Sequence, residues 1–330
     1  MKRIALAVAL VALATLPFWI GNSFYINVSA QILIYAIFAL GLNVLAGYAG
    51  LVTLGHAGLF GVAAYTAGLL IAAGHGQLIV ALGACAMTVV VAAIFAVLSL
   101  RGTGLGFVMI TVALGEICYG LAFRWISITN GDNGITINVR PEPFGLSLAT
   151  PQAFYWATLV VFVLTVASMA VFVASPFGAA LRGTRDQPRR MTVLGYNVWL
   201  TRFLAFLFSG FWSAVAGLLY LYYNQFISPE AVSLGSSAEA LLMVIAGGTG
   251  TLLGPIVGAG LVVIIKDVVS AYISRWNFML GLIFVLIVVF MPDGLVPGSI
   301  RLWRMITSPR GLRRSVPTTT PAVKVADDGA

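Results

Sequence analysis

Apolar runs recur along the chain, separated by short glycine-rich, polar or basic stretches. A hydrocarbon core about 30 Å thick takes roughly 20 helical residues. The run Ile4–Ile20, after Lys2–Arg3, is about 17 residues, roughly 25 Å of helix. It shares Ala12-x-Ala14 with a signal peptide, but the apolar run continues through Leu16 to Ile20, so a retained helix is preferred. Further spans are predicted at Phe24–Ala46, Leu59–Ala73, Gln77–Leu100, Leu105–Phe123, Phe154–Ala174, Phe203–Tyr223, Ile256–Ile273 and Phe278–Met291. Ala238–Ala246 is apolar but too short to span alone.

Two glycine-rich stretches interrupt this pattern: GYAGLVTLGHAG at 47–58 and GGTGTLLGP at 247–255. Irregular backbone at membrane depth is tolerated where it is buried in protein or lines a wet cavity. The stretches 46–55 and 246–254 align with one deletion, pairing Gly47 with Gly247, Gly50 with Gly250 and Gly55 with Gly254. Repeated broken helices are one way in which transporters build a pathway, which suggests an internal repeat. Breaking the chain at 247–255 gives two passes there and returns the arginine-rich end to the side of Lys2–Arg3. The expected fold is therefore an all-α polytopic membrane protein of about ten transmembrane segments, with two Gly-rich breaks. Trp19, Trp125, Trp156, Trp199 and Trp276 fall near proposed segment ends, where indoles favour the interface.

The polar positions set the orientation. Pro176–Arg202 holds Arg182, Arg185, Arg189, Arg190 and Arg202 against one acid, Asp186. Each arginine would cost roughly 2.5–3.5 kcal/mol at a bilayer centre, and loops rich in arginine stay cytoplasmic. The loop 176–202 therefore faces the cytoplasm, together with both termini. Read from residues alone, it either docks a short helix on a partner or only sets topology. External loops are expected at 125–152 and 224–237. The Asn130–Gly134 run in the first lacks the ligand spacing of a calcium loop and reads as a plain turn.

Only 8% of residues are charged, against about 25% in soluble domains, so the chain is an integral membrane protein. The net charge of +8 is then no nucleic-acid signal, because the basic residues gather at Lys2–Arg3, at 176–202 and beyond Ile300. Residues 1–300 are expected to form one transmembrane domain, and 301–330 a basic, proline-bearing cytoplasmic tail held weakly at the lipid surface. Cys85 and Cys118 lie inside apolar spans and are assigned to packing.

Few ionisable groups enter the spans. Glu116 must pair, protonate or face a cavity, and so either gates a pathway or accepts an interhelical hydrogen bond. His56, at the first glycine break, caps a helix or lines a pathway, with the structural role preferred. Glu239 is placed at a helix start, where the dipole favours it, and Asp267 beside Lys266 and near Arg275, where pairing explains it. The pathway candidates are Gly47, Gly50, Gly55, His56, Glu116, Gly247, Gly250 and Gly254. No phosphate-cradling P-loop and no hydrolase motif occurs, so no cofactor is expected in this chain and no enzyme activity. Transport powered by ATP and Mg would need the ATPase on another chain.

Five stretches in order resemble the LivM-type permease subunits of branched-chain amino acid ABC importers. They are GLNVLAGYAGLVTLGHAGLFGVAAYTAGLL (41–70), RGTGLGFVMITVALGEI (101–117), TNGDNGI (129–135), PFGAALRGTRDQPRRMTVLGYNVWLTR (176–202) and FISPEAVSLGSSAEALLMVIAGGTGTLLGPIVGA (226–259). The resemblance implies a bacterial inner-membrane subunit paired with a second, LivH-type permease, two cytoplasmic ABC ATPases and a periplasmic substrate-binding protein. It implies leucine, isoleucine or valine as cargo, and an ATPase-coupling helix at Ala180, Leu181, Arg182, Arg185, Asp186, Pro188, Arg189 and Gly195. The chain departs from that pattern at Arg190–Met191, where small alanines are usual. Urea or short-amide importers share the architecture. A stand-alone secondary transporter or channel is the alternative of a different class.

Overall fold

In the computed structural model, the described residues are 23–137, 148, 150–269, 276–291 and 294–299. The expected first span, the tail 301–330, part of the first external loop and Arg275 lie outside them. Among the described residues five helices are long and apolar enough to cross a membrane. The others are shorter, so the count of ten rests on more than these five.

Helix α1 (Ser23–Asn43) is apolar all round and forms the centre. Leu33, Ile34, Ile37, Leu40 and Leu42 are fully buried, as expected of a helix without a polar face. It continues through a π-helical turn, Val44–Ala49, to Gly50 at φ +69°. The break thus begins three residues later than the hydropathy suggested. Helix α2 (His56–Ala72) follows the break. Helix α3 (Gln77–Ser99) turns Val80, Ala84, Thr88, Ala92 and Ala96 inward at a spacing of four, while Leu78, Leu82, Val90 and Ile94 face out. Small inward residues let helices approach closely.

Helix α4 (Leu105–Arg124) leads to a segment built from one helical turn, Ile126–Thr129, and a 3-10 turn at Gly131–Asn133. Its strand β1 (Ile135–Thr136) pairs antiparallel with β2 (Phe226–Ile227), joining the two loops expected to be external. Helix α5 (Pro151–Ala174) starts earlier than predicted because the Thr150 hydroxyl accepts from the Ala153 N–H at 3.3 Å and proline fits the first turn.

The arginine loop is largely helical. It contains α6 (Pro176–Asp186) and α7 (Pro188–Val193). Helix α8 (Val198–Asn224) begins inside the predicted loop, since the Asn197 side chain accepts from Leu200 N–H at 3.0 Å. Likewise α9 (Leu234–Gly247) starts under the Ser233 cap. Helix α10 (Gly254–Ile264) runs into a π-helical turn, Ile265–Val269, and α11 (Trp276–Phe290) follows. Helices α5, α8, α9 and α10 surround α1, and α2 packs between α3, α4 and α8.

One reading is corrected. Glu239 lies in the second turn of α9 and is not at a helix start; Lys266 Nζ reaches it at 3.1 Å. Asp267 interacts with the adjacent Lys266 and also hydrogen-bonds Gln31 of α1, a partner 236 positions away.

Candidate functional site

Ser175 begins the site. Its hydroxyl accepts from the Gly178 N–H at 3.2 Å and donates to the Phe172 carbonyl at 2.6 Å, so α6 turns sharply off the end of α5. Ala180, Leu181 and Thr184 are buried against the membrane helices. Of the residues assigned to coupling, Ala180 and Leu181 therefore anchor the helix, while Arg182, Arg185, Asp186, Pro188 and Arg189 are exposed. Arg182 Nη1 donates to the Val173 carbonyl at 3.1 Å, and Arg202 Nη2 to the Thr184 carbonyl at 2.8 Å. Both bonds satisfy carbonyls near helix C-termini, where cations are favoured.

Helix α7 folds back over α6. A Cβ on Gly183 would lie 2.6 Å from Met191 Sδ, so the methionine at the unusual Arg190–Met191 pair fills the space above a glycine. Beyond it Val193 is 88% exposed, and Leu194, Tyr196 and Trp199 are exposed too. Gly195 holds φ +87° in the turn into α8, a conformation that glycine adopts without steric cost. Arg189, Arg190 and these apolar side chains form one outward surface.

The inward side of Arg185 meets both glycine breaks. Its guanidinium Nη1 donates to the Gly47 carbonyl, and its Cγ lies 2.8 Å from where a Cβ on Gly50 would be. The two breaks touch each other at the same point: a Cβ on Gly47 would lie 2.8 Å from the Gly250 Cα. Asn43, 1% exposed, fastens them. Its Oδ1 accepts from the Gly250 N–H at 2.9 Å and its Nδ2 donates to the Thr251 carbonyl at 2.9 Å. Nothing in the residue pattern singles out Asn43 beyond its being an amide at the end of an apolar run.

The remaining candidates lie elsewhere. Gly247 and Gly254 form the tight turn between α9 and α10, each leaving room for the other's backbone. Gly55 abuts α4, with its Cα 3.0 Å from where a Cβ on Gly115 would be. His56 is the first residue of α2 and is 1% exposed, yet its ring does not cap that helix start, where the Ser237 hydroxyl accepts from the Ala57 N–H at 3.0 Å. Its Nε2 instead meets Ser213 Oγ at 2.6 Å, and Phe38 stacks on the ring at 5.4 Å. The expected cap is thus replaced by a tie between helices. Glu116 is exposed on α4, one residue from the buried Gly115.

Comparison with known families identifies the architecture. Residues 24–291 match the family described as branched-chain amino acid transport system / permease component. The chain belongs to this permease family. It is a multi-pass membrane transport protein and its family is not one of enzymes. It is 30% identical over 322 residues to the high-affinity branched-chain amino acid transport system permease protein LivM of Escherichia coli K12, covering 90% of this chain and 75% of that one. It is 24% identical over 289 residues to the LivH permease protein of the same organism, covering 79% and 91%. The probable LivM permease protein of Methanocaldococcus jannaschii is 26% identical over 159 residues, 44% of this chain and 46% of its own. No solved structure matches the chain.

For a permease, the face of α4 that carries Glu116 is distinctive. Leu105, Met109, Ala113, Ile117 and Leu121 share it at helical spacing and are exposed. Cβ atoms on Gly106 and Gly120 would meet nothing within 4 Å. A carboxylate on so apolar a face is costly against lipid.

Proposed function

We propose that this chain is the transmembrane permease subunit of an ATP-driven ABC importer of leucine, isoleucine and valine. A second, LivH-type permease pairs with it, two cytoplasmic ATPases drive it, and a periplasmic binding protein delivers the substrate. The subunit lies in the bacterial inner membrane with ten segments and both termini cytoplasmic. The observation that carries the coupling role is the outward surface of Arg189, Arg190, Val193, Leu194 and Tyr196 beside α6. A water-exposed patch mixing arginines with large apolar side chains suits a protein partner. The similarity to both LivM and LivH of one organism supports pairing of two permease chains.

Glu116 then faces the second permease and the pathway between the two. This accounts for a carboxylate on an otherwise apolar stripe, because only protein or water there can solvate it. The test is reconstitution. The chain co-expressed with its ATPases and second permease co-purifies as a complex and takes up leucine only with ATP and binding protein. Robust uptake by this chain alone under an ion gradient defeats the reading and favours a secondary transporter. Delivery of urea or an amide, with no response to leucine, reassigns the substrate.

A further inference from the structure

Asn43 and Arg185 together make one joint from three elements that are far apart in the chain. Arg185 belongs to α6, the Gly47 carbonyl to the π-helical turn below α1, and Gly250 and Thr251 to the turn between α9 and α10. Asn43 lies one helical turn before Gly47 and holds both an N–H and a carbonyl of the second break. That pairing fixes the amide orientation, since a flipped amide would set like groups against each other. No side chain could replace hydrogen at Gly47 without striking Gly250, so the two breaks are in direct backbone contact. Arg182, by contrast, bonds α6 to the neighbouring end of α5, and Arg202 of α8 donates to the Thr184 carbonyl in the last turn of α6.

We infer that Asn43 and Arg185 are positioning residues that make α1 and the α9–α10 hairpin move with α6, so that a force applied to the cytoplasmic helix reaches both glycine breaks at once. The inference rests on the importer reading and extends it: Arg185 hydrogen-bonds the first break, and the second is held to α1 by the hydrogen bonds of a buried amide. A load on α6 pulls the Gly47 carbonyl through the guanidinium. The carboxamide four residues earlier passes the displacement to the 250–251 backbone, and two short stiff contacts leave little slack. The Arg185 stem across Gly50 prevents the arginine from swinging aside.

The test uses the reconstituted complex with leucine, binding protein and ATP, comparing wild type with Asn43→Asp, Arg185→Gln and Arg185→Lys. Asn43→Asp keeps the acceptor for Gly250 but sets a carboxylate oxygen against the Thr251 carbonyl. Leucine taken up per ATP hydrolysed is expected to fall by at least about tenfold in Asn43→Asp and Arg185→Gln, as loss of buried hydrogen bonds implies, while hydrolysis by the assembled complex persists. Arg185→Lys, which can still donate to Gly47, recovers part of the loss. If Asn43→Asp does not assemble, the two variants of the half-exposed Arg185 decide. Uptake and hydrolysis that stay at wild-type levels, or that fall in step, overturn the inference and leave the contacts as packing. A wild-type complex that shows no ATP-dependent leucine uptake defeats the importer reading itself, before any variant is compared.

Discussion

The Nε2 of His56 lies 2.6 Å from the hydroxyl of Ser213, binding the first residue of α2 to the middle of α8. The neighbouring Ser209 hydroxyl donates to the Gly41 carbonyl of α1 at 2.6 Å and lies 3.4 Å from the same nitrogen. Three core helices are thus tied by one polar cluster closed off from solvent. Ser213→Ala leaves that nitrogen in a buried site without its closest partner and should cost ~1–3 kcal/mol. Thermal unfolding in detergent checks this, and the folded fraction should transport normally because the cluster touches no exposed face.

At Gly247 the α9–α10 turn has no room for a side chain. A Cβ on Gly247 would run into the Gly254 carbonyl, and one on Gly258 into that of Met243. Backbone cannot yield as a flexible side chain can, so Gly247→Ala should sharply reduce the yield of folded protein. Gly120→Ala faces open space and should stay within about 0.5 kcal/mol of wild type, as surface substitutions do. Comparing monodisperse yield of the two variants is the measurement. Equal yields would contradict the described turn.

Glu239 and Lys266 join α9 to the end of α10 at 3.1 Å, with both side chains at most one-third exposed. Removing one partner of such a pair leaves a poorly hydrated charge. Glu239→Gln should lower the unfolding temperature, and the exchange Glu239→Lys with Lys266→Glu should recover part of it. A double-mutant cycle gives the coupling. An exchange that fares worse than the sum of the single changes refutes the pairing.

In the arginine-bearing loop, Gly195→Pro forces φ from +87° to about −65° in the turn before α8. ATP-dependent uptake should be abolished with membrane insertion intact, and Arg189→Glu combined with Arg190→Glu should weaken co-purification of the ATPase. Normal uptake in both variants, at normal expression, removes the docking role from this surface.

For Glu116, exchange with Gln keeps the hydrogen-bonding capacity and removes the charge. Slower uptake with unchanged subunit pairing is expected if the carboxylate faces the pathway. Unchanged uptake assigns it to a structural hydrogen bond with the second permease.

Much of the frame was legible in the residues. Arg182–Arg190 stood out because arginine is excluded from hydrocarbon, and the glycine breaks because lipid tolerates no open backbone. Helix starts at Pro151, Val198 and Leu234 were missed, since caps such as Thr150, Asn197 and Ser233 sit in stretches that hydropathy reads only as loop. Glu239 was placed at a helix end for the same reason, and its partner Lys266 lies 27 positions away.

The sequence by itself determined that the chain is a multi-pass membrane protein, that the arginines of 176–202 stay out of the apolar spans and where the backbone must break. Those are properties of single residues and short windows, set by the transfer of each group between water and lipid. Only the tertiary structure decided that α1 is central while the equally apolar α3 faces outward, because lipid and protein interior are alike apolar and leave no stripe to tell them apart. It also decided that Gly47 meets Gly250 and that Asn43 and Arg185 hold them. Such contacts depend on close backbone approach between segments some 200 residues apart, which composition and periodicity do not encode.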